Sequence, residues 1–113
     1  MKIITEQLTL MELNHAAASI FGNMVKAVVD VNRGILAIDA ELHADLEALL
    51  LENGSQQENL WGINLYPEMT GSDFIEFDSM INMRPSVGNR SRGVENENIR
   101  KQICEVVARR IKQ

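Results

Sequence analysis

The sequence predicts an α+β fold with the element order α-β-β-α-β-β-α, in which a mostly antiparallel sheet carries helices on one face. Three segments repeat apolar residues at helical spacing, and two pairs of strand-like runs are interrupted by turn residues. Runs of strands joined by short turns and separated by helices are typical of this class. The 113 residues suit a single domain over 1–113, long enough to bury one core.

The N-terminal part predicts a short strand at Ile3 and Ile4, followed by a helix. Thr9 and Glu12 have the spacing of a capping box, in which each side chain accepts a hydrogen bond from the backbone amide of the other residue. The helical stripe continues to Phe21, and Gly22 ends it.

A hairpin and a second helix come next. The β-branched runs 25–31 and 35–40 flank a turn in which Gly34 supplies a positive φ. Leucines at helical spacing then predict a helix over 44–53, which ends at Asn53 and Gly54.

The second half of the chain predicts a second hairpin and a final helix. Residues 60–66 form a strand that Pro67 stops, and the alternating run 74–83 is its partner. A loop over 84–93 leads to a helix with an apolar stripe, and we expect four residues of the strand and helix to be buried together: Ile75, Phe77, Ile103 and Val107.

Charge is divided unequally along the chain. Residues 1–83 hold three basic and thirteen acidic side chains, whereas residues 84–113 hold eight basic and three acidic ones. This asymmetry favours an anionic partner for the basic end. It is equally explained if the two ends neutralise each other within the fold, or if opposite ends pair between two copies in a homodimer. The net charge of −5 argues against nucleic acid as a partner.

The single cysteine, Cys104, excludes an internal disulfide and favours a reducing compartment. The first ten residues lack the pattern of a signal peptide, and no apolar run is long enough to span a membrane. The sequence therefore predicts a cytoplasmic protein without a membrane partner.

The loop over 84–93 is the leading candidate for a binding site. Its guanidinium groups can bind oxyanions in bidentate fashion, and the following helix start adds free amides. The residues predicted to hold an anion are Arg84, Asn89, Arg90, Ser91 and Arg92. We expect the three guanidinium groups to converge on one concave surface. The alternative is that these arginines pair with nearby carboxylates.

A second candidate is acidic. Asp39, Glu76 and Asp78 would meet on the polar sheet face if the hairpins are neighbours, and paired carboxylates can bind a divalent cation. His43 follows closely, but two histidines and one cysteine are too few for structural zinc. A solvated acidic face explains the pattern equally well, and the sequence predicts no cofactor.

Several segments carry a resemblance to a known family. They are 43–47 (HADLE), 53–67 (from NGSQQEN to LWGINLYP), 79–85 (SMINMRP) and 88–91 (GNRS). Over about residues 3–111 the chain is similar to a small prokaryotic family known only as a domain of unknown function. The resemblance implies a cytoplasmic single-domain protein and carries no activity, ligand or site residue.

These observations lead to three hypotheses. The first is a non-enzymatic module that binds an anion or a partner through the loop over 84–93. The second is a hydrolase that uses a divalent metal at the acidic cluster and acts on a phosphate-bearing substrate. The third is a purely structural homodimer. Whether the protein is an enzyme is left open by the sequence.

Overall fold

The computed structural model describes all residues from Met1 to Gln113. It confirms the α+β class, with three helices and a mostly antiparallel sheet. In chain order the elements are β1 (Lys2–Ile4), β2 (Leu8–Thr9), α1 (Leu10–Ile20), β3 (Val25–Asp30), β4 (Ile35–Ile38), α2 (His43–Glu52), β5 (Leu60–Leu65), β6 (Ile75–Glu76), α3 (Glu97–Arg110) and β7 (Ile111–Lys112).

Five strands form one antiparallel sheet in the order β1-β4-β3-β5-β6. Both predicted hairpins belong to this sheet, and β3 pairs with β5 along its whole length, with Val28 opposite Gly62. A separate parallel pair, β2 with β7, ties the start of α1 to the end of α3. The sequence reasoning missed this pair, because Ile111 continues the apolar stripe of α3.

The predicted start of α1 and the predicted turn of the first hairpin are confirmed. The Thr9 hydroxyl accepts from the Glu12 amide at 3.1 Å, and the Glu12 carboxylate accepts from the Thr9 amide at 3.1 Å. In the hairpin turn Gly34 has φ 68°. The buried Asp30 carboxylate holds this turn, because it accepts from the amides of Asn32 and Arg33 at 2.9 Å.

The helices pack on both faces of the sheet, which corrects the expectation of a single helical face. One face is covered by α1 and α3, in a core that includes Val29, Leu36 and Ile103. The opposite face is covered by α2, which buries Leu46 and Leu50 in a smaller core. The reason is visible in β4, where all four residues are apolar and buried. Such a run needs cover on both sides.

The run 74–83 is a strand over Ile75–Glu76 only, and Met80–Asn82 form a turn of 3₁₀ helix. The predicted alternation is therefore wrong beyond Glu76: Asn82 is fully buried and Met83 is exposed. Ile75 and Phe77 are half-buried against the larger core, which contains Ile103 and Val107 as expected.

The core position of α3 can be tested by truncation. Because Ile103 is fully buried, Ile103→Ala should lower the free energy of unfolding by about 3 kcal/mol, through lost burial and a residual cavity. Arg109 is exposed, so Arg109→Ala should cost less than about 1 kcal/mol. Urea melts of both variants check this, and equal losses would mean that the other face of α3 stabilises the fold.

The sheet edges are formed by β1 and β6, with three and two residues. The homodimer stays a prediction.

None of the helices has the length and apolar character needed to cross a lipid bilayer.

Candidate functional site

The segment over 78–93 runs along β5 and replaces a neighbouring strand. The Asn82 side chain accepts from the Gly62 amide at 2.8 Å and donates to the Gly62 carbonyl at 2.9 Å. These two bonds reproduce the pair that a facing strand would make. The same side-chain amide donates to the Arg92 carbonyl at 2.9 Å. Asn82 therefore holds both ends of the segment against β5.

Arg84 is held by the protein itself. Its guanidinium carbon lies 4.3 Å from the centre of the Trp61 ring. One terminal nitrogen donates to the Gln57 carbonyl at 2.8 Å, and the other donates to the Leu60 carbonyl. Burial lowers the pKa of this guanidinium below its usual value. The terminal donors of Arg84 are therefore engaged in closing the start of β5.

Asn89 also has a structural role in the loop. It is buried, its side-chain amide donates to the carbonyls of Asn82 at 2.7 Å and Gly93 at 2.9 Å, and its carbonyl oxygen accepts from the Glu95 amide at 3.0 Å. Backbone bonds between Arg84 and Asn89 close the turn. This hydrogen-bonding network fixes the loop from within.

The loop amides already hold a carboxylate. Glu95 Oε2 accepts from the amides of Arg90 at 2.6 Å and Ser91 at 2.9 Å. These two bonds lower the pKa of Glu95 below its usual value. The anion position that the sequence predicts in this loop is therefore taken by a side chain of the same chain.

The three arginines do not converge. Arg84 faces β5, whereas Arg92 Nε donates to Asp78 Oδ1 at 2.6 Å. Arg90 is exposed, and its side chain makes no hydrogen bond or ion pair. Arg92 was predicted either to bind an anion or to pair with a carboxylate. The second alternative holds for its Nε, while its terminal nitrogens have no protein partner.

Arg92 instead lines a cavity of about 170 Å³, which lies between the start of α2 and the 3₁₀ turn at Met80–Asn82. We call it the α2 cavity. Lys26 reaches it from β3, and the exposed side chains of Leu42 and Met80 form its rim. Its lining residues are Lys26, Leu42, His43, Ala44, Ser79, Met80, Ile81 and Arg92.

His43 lies in the wall of the α2 cavity and is 7% exposed. Its Nε2 is 2.8 Å from the Ile63 carbonyl oxygen, which can only accept, so Nε2 carries the proton and Nδ1 presents a lone pair. Burial lowers the pKa of this ring below its usual value and outweighs the hydrogen bond to Ile63 and the charge of Asp78, which act in the opposite direction. The ring is therefore neutral at pH 7.

The start of α2 lacks a cap. The helix follows Leu42, which has no polar side chain, so no side chain accepts from the first-turn amides. The acidic residue of this turn, Asp45, lies inside it, and its carboxylate does not cap the helix. Free amides at a helix start carry a partial positive charge. His43 and Ala44, the first two residues of this turn, line the α2 cavity.

The acidic cluster is not assembled. Asp39 follows β4 and lies near the N-terminal amine at 3.6 Å, whereas Glu76 is in β6. Two strands separate β4 from β6, which puts these carboxylates roughly 14 Å apart at the usual strand spacing. Glu76 accepts from Asn64 and Tyr66 at 2.9 Å. No group of three His, Cys, Asp or Glu side chains is arranged to hold a metal ion.

Lys26 is the site residue that the sequence reasoning did not single out. It is the one basic residue on β3, in a run of otherwise apolar or acidic side chains. A half-buried lysine on a central strand is uncommon. A lysine inside an apolar strand-like run was therefore the feature of the sequence that could have indicated this site.

Comparison with known proteins gives one match. Residues 2–110 match the family DUF5674, described as a protein of unknown function. No curated protein and no solved structure matches the chain. The match spans nearly the whole chain, in agreement with the resemblance in the sequence. The chain therefore belongs to the DUF5674 family of proteins of unknown function.

Proposed function

We propose that the protein is a non-enzymatic module that binds a small oxyanion in the α2 cavity. The observation that carries the proposal is the uncapped first turn of α2, which opens on a cavity flanked by Lys26 and Arg92. Helix-start amides and two cations together form the usual environment of a bound sulfate, phosphate or carboxylate. Of the residues predicted for the loop site, the proposal retains Arg92, and it adds Lys26.

The donors of this cavity are available to a ligand. Arg92 uses only Nε for Asp78, so its terminal nitrogens remain free. The Lys26 ammonium lies 5.5 Å from the centre of the Phe21 ring and makes no ion pair. Asp78 neutralises part of the Arg92 charge, which limits the expected affinity.

Binding is favoured over catalysis by the arrangement of the two groups that could react. Ser79 and His43 both line the α2 cavity, but no hydrogen bond joins them. The Ser79 hydroxyl instead accepts from the Ile81 amide at 3.3 Å. A serine nucleophile needs a base within hydrogen-bond reach. We therefore infer a binding role.

Calorimetric titration with sulfate at low ionic strength tests the proposal. Lys26→Met removes the charge and keeps the alkyl stem, and we expect it to weaken sulfate binding by roughly tenfold or more, the value of about one charge-assisted hydrogen bond. Arg92→Gln should have an effect of similar size.

Two matched variants serve as controls. Lys112→Met and Arg90→Gln make the same charge changes at exposed positions outside the α2 cavity, and both should bind sulfate like the unmodified protein. If Arg90→Gln abolishes binding while Lys26→Met does not, the anion lies on the loop and the α2 cavity is not the site. No heat with the unmodified protein would overturn the proposed function.

A further inference from the structure

We infer a second ligand site in a cavity of about 290 Å³ between the loop and the start of α3, suited to a small neutral cyclic amide. This site is separate from the α2 cavity, and we call it the indole cavity. Its walls include the Trp61 indole, the apolar side chains of Val87 and Ile99, and the carboxylates of Glu58 and Glu95.

The observation that points to a ligand is an unpaired donor. Trp61 is 4% exposed, and its Nε1 is buried with no acceptor in the protein. A buried N–H without a partner costs about 1–3 kcal/mol, and such groups are rare in folded proteins. Arg84, stacked on the same indole, has a second buried and unpaired donor at Nε. The indole that carries the first donor lines the indole cavity, and Arg84 lies against that indole; both donors lack an oxygen acceptor.

The polar groups around the indole cavity determine which class of ligand can supply the missing acceptor. Glu95 uses Oε2 for the loop amides, which leaves Oε1 free, and Glu58 is exposed and makes no ion pair. Asn89 has its amide and carbonyl groups fully engaged. Two carboxylates in one cavity disfavour an anionic ligand. The ligand must therefore offer a neutral oxygen acceptor together with an N–H donor.

A cyclic amide meets this requirement. Its carbonyl oxygen accepts from Trp61 Nε1 while its adjacent N–H donates to the carboxylate of Glu58. The flat ring packs between Val87 and Ile99, which supply apolar contact area. Nε1 is covered by protein atoms, so the acceptor reaches it only after the cavity wall shifts. A lactam ring and a pyrimidine base share this chemistry.

The single tryptophan makes the test direct, because a nitrogen-labelled sample gives one indole N–H resonance. Titration with pyrrolidinone should move this resonance downfield and slow its exchange with water, as expected when the N–H gains an acceptor. N-methylpyrrolidinone has the same carbonyl but no N–H. It should bind at least roughly tenfold more weakly, since one hydrogen bond to a charged group is lost.

Glu58→Gln tests the acidic wall. It should weaken pyrrolidinone binding severalfold, whereas Glu68→Gln, at another exposed glutamate, should not change it. An indole N–H resonance whose chemical shift does not change on titration with pyrrolidinone would overturn the inference. So would equal affinities for pyrrolidinone and its N-methyl derivative, or a Glu58→Gln variant that binds like the unmodified protein.

Discussion

Asn82→Ala is expected to lower the free energy of unfolding by about 4 kcal/mol, a large fraction of the stability of a typical domain. The side chain is fully buried and makes three hydrogen bonds to backbone groups of Gly62 and Arg92. Its removal leaves the buried amide and carbonyl of Gly62 without partners, and each such group costs about 1–3 kcal/mol. Urea denaturation followed by the fluorescence of Trp61 measures the loss.

Asn98→Ala is the matched control for this variant. Asn98 is an exposed asparagine in the first turn of α3, and its side chain makes no hydrogen bond within the protein. Its truncation should change stability by less than about 0.5 kcal/mol. If Asn82→Ala costs as little as Asn98→Ala, the side chain does not hold the 78–93 segment on β5, and β5 ends at a free edge.

Local signals in the sequence predicted much of the fold. The capping box at Thr9 and the turn at Gly34 depend on neighbouring residues only, and the structure confirms both. The apolar stripe of α3 has the same local origin, and Ile103 and Val107 are buried as predicted. Such features are readable because their energies come from contacts within a few residues.

The placement of α2 was predicted wrongly, although a signal was present. The β4 segment is an unbroken apolar run rather than an alternating one, and Ala37 belongs to the α2 core while Leu36 belongs to the larger core. An unbroken run favours burial on both faces. The expectation of one helical face therefore gave too little weight to β4.

The run 74–83 shows where periodicity fails. Apolar and polar residues alternate in its sequence, but beyond Glu76 the neighbouring strand β5 is paired by the Asn82 side chain rather than by backbone. The convergence expected of the loop arginines fails for a related reason. The sequence shows that arginines are present in the loop, but only the fold shows that Arg84 is engaged with β5 and that Glu95 fills the loop amides. Lys26 and Arg92 are far apart in the sequence and both line the α2 cavity only because the chain is folded, so no local sequence pattern predicts that they meet.

Gly62→Ala is expected to destabilise the protein by about 4 kcal/mol, although alanine is the smallest change available. A Cβ atom at this position would lie 2.5 Å from Ser79 Cβ and Oγ and 3.2 Å from Ile81 Cγ1. Ser79 cannot retreat easily, because it is 1% exposed and its amide donates to the Arg92 carbonyl at 2.9 Å. Overpacking of this kind costs about 1–3 kcal/mol, and displacement of the 78–93 segment also weakens the bonds from Asn82. Urea melts give the value.

A double-mutant cycle identifies the clash as the cause. Ser79→Gly removes the two atoms nearest to the added methyl group, so the Gly62→Ala/Ser79→Gly protein should be more stable than Gly62→Ala alone. Ser79→Gly by itself should cost about 1 kcal/mol, because its hydroxyl accepts from the Ile81 amide. Gly93→Ala is the control, since a Cβ there meets its nearest atom, the Phe77 carbonyl oxygen, at an ordinary 3.5 Å. Additive losses in the cycle would show that the cost of Gly62→Ala does not arise from contact between β5 and the 78–93 segment.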